Sequence, residues 1–188
     1  EETCKAHHRA LWKLGIGTDV INMDCDFSRY RLVVAPMLYM LRPGVAARMA
    51  EFVKAGGILV TTYLTGYANV SDLCFMGGFP GDGMMELTGI WAEEIDALYP
   101  DQSNEIEFGP NDLDLRGKYR VKGLCEVIHA QGAEVIVRAP AQNLDHRIRP
   151  ALERHMYDFD AGGYIEADTA QVCRTPRRTG GKNHLAWL

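Results

Sequence analysis

The chain has 188 residues, of which 47% are hydrophobic and 24% are charged, and its formal net charge is −5 at pH 7. This length suits one domain of ordinary size and is too short for a (β/α)8 barrel, which needs about 250 residues. The negative charge argues against a general nucleic-acid binder. The apolar runs fall far short of the roughly 20 residues that span a bilayer, so we expect neither a nucleic-acid nor a membrane partner.

The five cysteines are widely separated, and no pair has the CxxC spacing of a zinc ribbon or a redox motif. The chain opens with Glu-Glu-Thr rather than with the basic stretch and apolar core of a signal peptide. These features predict reduced thiols in a cytoplasmic protein. We expect no metal and no other cofactor.

The balance of charge changes sign along the chain. Residues 1–136 contain 12 Lys and Arg against 19 Asp and Glu, whereas residues 137–188 contain 8 against 6. We therefore predict a domain over residues 1–136 and a divergent, basic C-terminal segment over residues 137–188 that is partly disordered.

The first half of the chain alternates between helical and strand patterns. Apolar residues at helical spacing predict helices, and short apolar runs rich in β-branched residues predict buried strands. The order is a helix over 3–14, a strand over 18–23, a strand over 31–36, a helix over 43–53 and a strand over 58–63. This alternation with short connections is typical of an α/β sheet.

A flavodoxin-like sheet begins with a strand before its first helix, whereas the first predicted element here is that helix. We therefore expect an open, mainly parallel sheet flanked by helices, with its first strand missing. Further along, a Gly-rich segment precedes the remaining predicted elements. These are two short helices within 84–98 that are separated at Gly89, strands over 104–108 and 119–121, and apolar stretches over 124–129 and 135–138.

Several sequence blocks carry a resemblance to a known family. In chain order they are ALWKLGIGTDVI, YRLVVAPMLYML, FVKAGGILVTTYLTG, DLCFMGGFPG, GIWAEEIDALYP and GLCEVIHAQGAEV. Together, over about residues 8–136, they resemble the middle domain of family 42 β-galactosidases. Two departures stand out. Asp82, Gly83 and Met84 replace the Pro-Leu-Arg that commonly follows the family's Pro-Gly, and the resemblance ends near Val135.

The resemblance implies a class I glutamine amidotransferase-like fold without amidotransferase activity. It also implies that the domain joins three copies of the parent enzyme. In that trimer the domain would form part of the wall around the active site of the catalytic barrel. Retaining glycosidases need two carboxyl groups about 5–5.5 Å apart, and in this family both glutamates lie on barrel strands. Asn104 and Glu105 copy the family's Asn-Glu pair, but they lie outside any barrel. We therefore predict no catalytic residue in this chain.

Two other groups of residues could carry chemistry. An amidotransferase needs a cysteine at a strand-to-helix turn, but Leu-Thr-Gly stands at 64–66. We interpret Cys74 in the Gly-rich segment as a buried structural thiol, and a reactive thiol is the alternative. The acidic cluster of Glu93, Glu94 and Asp96 predicts the solvated face of a helix whose other face buries Trp91, Ile95 and Leu98. An ion pair between subunits is the alternative for this cluster.

The remaining candidate is an aromatic and methionine surface at the ends of the predicted strands and in the loops after them. Ligand-facing residues of open α/β sheets collect at that edge, and aromatic residues and methionine are enriched at protein interfaces. Plain core packing is the alternative. The candidate interface or pocket-wall residues are Met37, Tyr39, Met40, Tyr63, Tyr67, Phe75, Met76 and Phe79.

The sequence therefore predicts a non-catalytic trimerisation domain of a family 42 β-galactosidase. Its expected partners are further copies of itself and the catalytic barrel of the parent enzyme. By the resemblance, that parent hydrolyses terminal β-D-galactosides with retention. The alternative is a stand-alone amidotransferase-like or sugar-binding α/β module.

Overall fold

The computed structural model describes residues 2–111, 114–138, 171–173 and 185–187, and over these residues it has a mixed α/β fold. The helices are α1 (Glu2–Lys13), α2 (Val45–Lys54) and α3 (Met84–Thr88). The strands are β1 (Thr18–Val20), β2 (Leu32–Ala35), β3 (Ile58–Thr61), β4 (Ile90–Ala97), β5 (Asn104–Phe108), β6 (Lys118–Val121), β7 (Leu124–Ala130), β8 (Val137–Arg138), β9 (Gln171–Cys173) and β10 (Leu185–Trp187). None of the described helices is long and apolar enough to cross a bilayer.

The chain divides into two compact units, which are described separately. The first comprises Glu1–Gly89 with Ala170–Leu188, and the second comprises Ile90–Thr169. The predicted boundary at residue 136 stays a prediction. Most of the predicted divergent segment over residues 137–188 lies outside the described residues.

A five-stranded sheet, in the order β1-β10-β2-β3-β9, forms the centre of the first unit. The pairings from β1 to β3 are parallel, and β9 pairs antiparallel with β3. The predicted helices over 3–14 and 43–53 and the strands over 31–36 and 58–63 are confirmed within two residues at each end. The strand predicted over 18–23 ends earlier, at Val20.

One face of α2 supplies much of the core of the first unit. Val45, Met49, Phe52 and Val53 recur at helical spacing, and all four are buried. They belong to the same apolar cluster as Val33 and Leu59 of the neighbouring strands β2 and β3. The helix α1, by contrast, has no buried residue. The first unit is therefore built around the contact between α2 and the two central strands.

A buried tyrosine connects β1 to the turn before β2. The Tyr30 hydroxyl donates a hydrogen bond to Asp19 Oδ2 (3.0 Å) and accepts one from Arg29 Nη2 (2.7 Å). The residue is only 2% exposed. Burial raises the pKa of Tyr30 above its usual value, the Arg29 guanidinium opposes this increase, and the Asp19 carboxylate adds to it.

The second unit is built from antiparallel pairs. β4 pairs with β7, and β6-β5-β8 form a three-stranded sheet with Ile106, Val121 and Val137 in its small core. The strands predicted over 104–108 and 119–121 are confirmed, and the apolar stretches over 124–129 and 135–138 contain β7 and β8.

The helix predicted after Gly89 is wrong, because Ile90–Ala97 forms the strand β4. Gly89 adopts a left-handed conformation (φ 70°) that ends α3. A β-bulge between Ala92 and Glu94 interrupts the pairing of β4 with β7. A bulge shifts the alternation of side chains by one residue, so this strand lacks the strict two-residue period by which a strand is recognised in a sequence.

The packing of the Phe52 ring at the end of α2 requires a glycine at position 57, and this requirement can be tested by substitution. A Cβ atom at this position would lie 2.3 Å from the Phe52 ring, which is buried and packs edge-on against Phe27 at 6.2 Å. Gly57→Ala should therefore lower the free energy of unfolding by about 1–3 kcal/mol in urea denaturation. Gly17→Ala is the matched control, because its Cβ atom meets nothing within 4 Å, and it should change stability by less than about 0.5 kcal/mol. Equal effects of the two substitutions would contradict this packing.

The raised pKa of Tyr30 predicts a specific loss of stability at alkaline pH. The folded state favours the neutral phenol, so its contribution is present below the unfolded pKa of about 10 and is lost as the pH rises through the higher folded pKa. Tyr30→Phe removes this ionisation together with the hydrogen bond to Asp19. Wild type should be the more stable protein at pH 8 and should lose this advantage above about pH 10. A difference in free energy of unfolding that stays constant from pH 8 to 11 would contradict the assignment.

Candidate functional site

Backbone hydrogen bonds join the loop after β2 to the loop after β3. Leu41 N donates to Ala68 O (2.9 Å), Tyr67 N donates to Tyr39 O (2.9 Å), and Gly66 N donates to Leu38 O (2.9 Å). At the start of the first loop, Met37 N donates to the side-chain oxygen Thr62 Oγ1 at 2.7 Å. Since β2 and β3 are parallel neighbours, both loops leave the same edge of the sheet and can be tied together in this way.

Three aromatic rings from these loops form a continuous stack. The Tyr39 and Tyr67 rings are 6.1 Å apart and nearly parallel (6°), and the Tyr67 and Phe79 rings are 4.2 Å apart at 14°. Tyr67, the middle ring, is 6% exposed, whereas Tyr39 at one end is 42% exposed. The structure therefore brings three of the eight candidate residues together and presents one of them to solvent.

The other candidates divide between the surface and the interior. Met40 is exposed, and Met76 is 97% exposed. Met37 and Tyr63 are half-buried, and Phe75 packs against the core of the first unit, as the core-packing alternative expects. Phe75 also lies against Gly81, where an added Cβ atom would come within 2.3 Å of its ring.

Two further apolar side chains, which the sequence analysis did not select, are exposed in the second loop. We use the name loop surface for the exposed large apolar residues of the two loops. These are Tyr39, Met40, Val70, Leu73 and Met76. Val70 and Leu73 were missed because no strand or helix pattern in the sequence distinguishes a buried loop residue from an exposed one.

The two loops also contain backbone conformations that L-residues rarely adopt. Four of the five non-glycine residues with positive φ among the described residues lie here, and each such conformation costs about 1–3 kcal/mol. They are Met37 (φ 49°), Leu64 (φ 58°), Asp72 (φ 56°) and Asp82 (φ 57°). Conformations of this cost concentrate at functional sites and persist only where surrounding contacts enforce them, as the hydrogen bonds between the loops do.

Within residues 62–83, the loop after β3, the one cysteine is Cys74, and it lies away from the end of that strand. Cys74 is exposed, so the interpretation of this residue as a buried thiol is wrong. The Gly-rich loop follows the sheet edge closely enough for Cys74 to form a backbone bridge with Ala68, but it leaves the side chain at the surface. Among the described residues Cys74 forms no hydrogen bond with a histidine, and no group of His, Cys, Asp and Glu is arranged to hold a metal ion.

Asn104 and Glu105 lie next to each other on β5, so their side chains point to opposite faces of the sheet. The Asn104 amide is buried and lies 3.9 Å from Cys125 Sγ. Glu105 accepts a hydrogen bond from Lys118 Nζ at 3.0 Å on the neighbouring strand. That hydrogen bond raises the pKa of Lys118, and Glu107 contributes further. This pair is therefore a structural part of the sheet.

The acidic cluster is placed on the strand β4 rather than on a helix. Glu93 Oε2 lies 2.7 Å from His129 Nε2, and the His129 ring stacks on Trp91 at 4.2 Å. Trp91 and His129 are direct cross-strand partners on β4 and β7. Ile95, predicted to be buried, is exposed. Glu93 thus pairs with His129 of the same chain. This contact follows from the pairing of β4 with β7, so a helix prediction for residues 90–97 could not indicate it.

Residues 1–173 match the family model described as the β-galactosidase trimerisation domain. The chain belongs to this family. The β-galactosidase Pbg of Clostridium perfringens is 57% identical over 137 residues, which are 72% of this chain and 20% of that protein. The resemblance to family 42 β-galactosidases seen in the sequence is thereby confirmed.

Solved structures agree with this assignment. The β-galactosidase from Rahnella sp. R3 is 52% identical with a TM-score of 0.69, over 71% of this chain and 20% of that one. Gan42B, a family 42 β-galactosidase from G. stearothermophilus, is 35% identical with a TM-score of 0.65, over 74% of this chain and 19% of that one. This trimerisation domain therefore spans about a fifth of the length of the relatives it matches.

The aromatic stack predicts unequal effects for two tyrosines. Tyr67→Ala should lower the free energy of unfolding by about 3–5 kcal/mol, because it empties a buried site between two rings. Tyr39→Ala removes a ring that is already largely in solvent and should cost about 1 kcal/mol or less. Chemical denaturation of both variants would measure the difference, and similar losses would contradict the stack.

Proposed function

We propose that this domain holds copies of itself together as a homotrimer through the loop surface. The observation that carries the proposal is the exposure of large apolar side chains on two loops that hydrogen bonds hold in costly conformations. Contiguous exposed apolar surface is a feature of protein interaction sites. Membership of the trimerisation-domain family supports self-association as its purpose.

The second partner in this proposal is the catalytic barrel of the parent enzyme. The relatives are named as β-galactosidases, and this chain matches about a fifth of their length. We propose that the parent hydrolyses terminal β-D-galactosides with retention and that both catalytic glutamates come from its barrel. The pairing of Glu105 with Lys118 and of Glu93 with His129 supports a non-catalytic role for the carboxylates of this domain.

We also infer a flavodoxin-like, class I glutamine amidotransferase-like arrangement for the first unit. Its support is the order of the parallel strands, in which β1 and β2 flank a further strand and β3 follows β2. The scattered free cysteines support a cytoplasmic location, which also stays a proposal.

Met76 offers a direct test of the loop surface. The side chain is 97% exposed, so Met76→Glu should leave the free energy of unfolding of the domain within about 0.5 kcal/mol of wild type. In the trimer the same change would bury an unpaired charge, which should weaken association at least about tenfold in analytical ultracentrifugation.

Leu14→Glu is the matched control, since Leu14 is also a largely exposed apolar residue but lies just after α1, outside the loop surface. It should leave the association constant unchanged. If the Leu14 variant lost association and the Met76 variant did not, the interface would lie outside the loop surface and the proposal would be contradicted.

A further inference from the structure

A cavity of about 580 Å³ in the first unit is lined by residues of α1 and by Val20 of β1. This volume is typical of binding pockets. Trp12 and Val20, which are 69% and 78% exposed, give the cavity an apolar wall. We call the cavity the α1 groove. Its basic lining residues are Lys5, His8, Arg9 and Lys13.

The charge of the α1 groove has one sign. Among the described residues that line it, none is an aspartate or a glutamate. Lys5 pairs with Glu2 at 3.1 Å, whereas Arg9 and Lys13 form no ion pair with any described residue. The groove therefore favours a partner that brings a carboxylate and apolar side chains together.

The second loop contains a turn with these properties. The Asn69 side-chain oxygen accepts hydrogen bonds from Ser71 N (2.8 Å) and Leu73 N (3.2 Å), and Asn69 N donates to Leu73 O (2.9 Å). The turn exposes Val70 (53%) and Leu73 (63%), two members of the loop surface, with the exposed Asp72 between them. We call these five residues the tip turn. Its hydrogen bonds hold one carboxylate and two apolar side chains in a fixed arrangement.

The tip turn and the α1 groove are opposite in charge. The chain has no Lys, Arg or His from residue 55 to residue 115, so no basic side chain accompanies the tip turn in its own loop. Asp72 forms no ion pair within the part of the chain that the structure describes. An acidic projection and a basic hollow, both with apolar side chains, are thus present on the same first unit.

The symmetry of a trimer gives this pair of surfaces a role. In a ring of three, each copy presents one patch to one neighbour and a different patch to the other neighbour. The loop surface of one copy therefore needs a different, complementary surface on the next copy. The α1 groove shares no residue with the loop surface.

We propose, on the basis of the homotrimer proposed above, that the α1 groove of one copy receives the tip turn of the next copy. Asp72 meets the cations Arg9 and Lys13, and Leu73 packs against the apolar wall at Trp12. Complementary charge fixes the register of the contact, and burial of the apolar side chains supplies affinity. Repeated head to tail, this one contact closes the ring of three.

Charge exchange between the two surfaces tests the proposal on the full chain. Leu73→Lys brings a cation against Arg9 and Lys13, and Arg9→Glu brings a carboxylate against Asp72. Each change should weaken self-association at least about tenfold in analytical ultracentrifugation, because like charges then face each other. A chain with both changes should associate at least about tenfold more tightly than either single variant, because the exchanged charges again attract. Additive weakening in the double variant would overturn the proposal.

Lys54→Glu is the matched control for Arg9→Glu, since it makes the same change of charge on an exposed helical residue outside the groove. It should leave the association constant unchanged. Leu14 does not line the groove, so the Leu14→Glu control described above also keeps its expected result. Urea denaturation should show that all variants remain folded, because the substituted side chains are exposed.

The same measurements separate this proposal from the one on which it rests. If Arg9→Glu leaves association unchanged while Met76→Glu weakens it, the α1 groove is not the receiving surface, but trimerisation through the loop surface stands. If Arg9→Glu, Leu73→Lys and Met76→Glu all leave association unchanged, both proposals are wrong.

Discussion

The parallel pairing of β2 with β3 is the constraint on which the rest of the first unit depends. It places Val33 and Leu59 side by side under the apolar face of α2, where the main core forms. The same pairing releases two loops at one edge of the sheet, close enough for their backbones to exchange hydrogen bonds. The fold and the candidate interaction surface therefore have a single origin. A change that separates the two strands would disturb both.

Hydrogen bonding between the loops explains how apolar side chains can remain exposed without collapsing onto the domain. A free loop containing Tyr39, Leu73 and Met76 could bury some of these side chains against its own unit. Backbone bonds such as Leu41 to Ala68, together with the left-handed conformation of Leu64, hold the chain in one path instead. The unfavourable backbone conformations that keep this apolar surface in place therefore reduce the free energy of unfolding of the domain. This cost is understandable if the surface is covered in an assembly.

Much of the first unit could be predicted because its elements repeat one simple period. The four buried residues of α2 recur every three or four positions, and β2 is a short run of apolar residues. The strand β4 could not be predicted in the same way, since its bulge breaks the alternation of side chains. The positions of β9 and β10 depend on pairing with residues more than a hundred positions away, and no local pattern records such pairing.

The candidate site shows the same division between local and long-range information. The position of eight aromatic and methionine residues at strand ends could be read from the sequence, but their burial could not. Tyr39 and Tyr67 both lie in loops that follow strands, but Tyr67, which stacks between Tyr39 and Phe79, is 6% exposed, whereas Tyr39 is 42% exposed. The exposure of Cys74 could not be predicted for a related reason, because it follows from the path of a loop whose backbone hydrogen bonds reach other parts of the chain.

The solution mass of the chain, measured by light scattering after size-exclusion chromatography, tests the central claim that this domain associates with two further copies of itself. The account predicts a single species of three times the chain mass of 21.0 kDa at micromolar concentration. A species of 21.0 kDa that persists as the concentration is raised would contradict it.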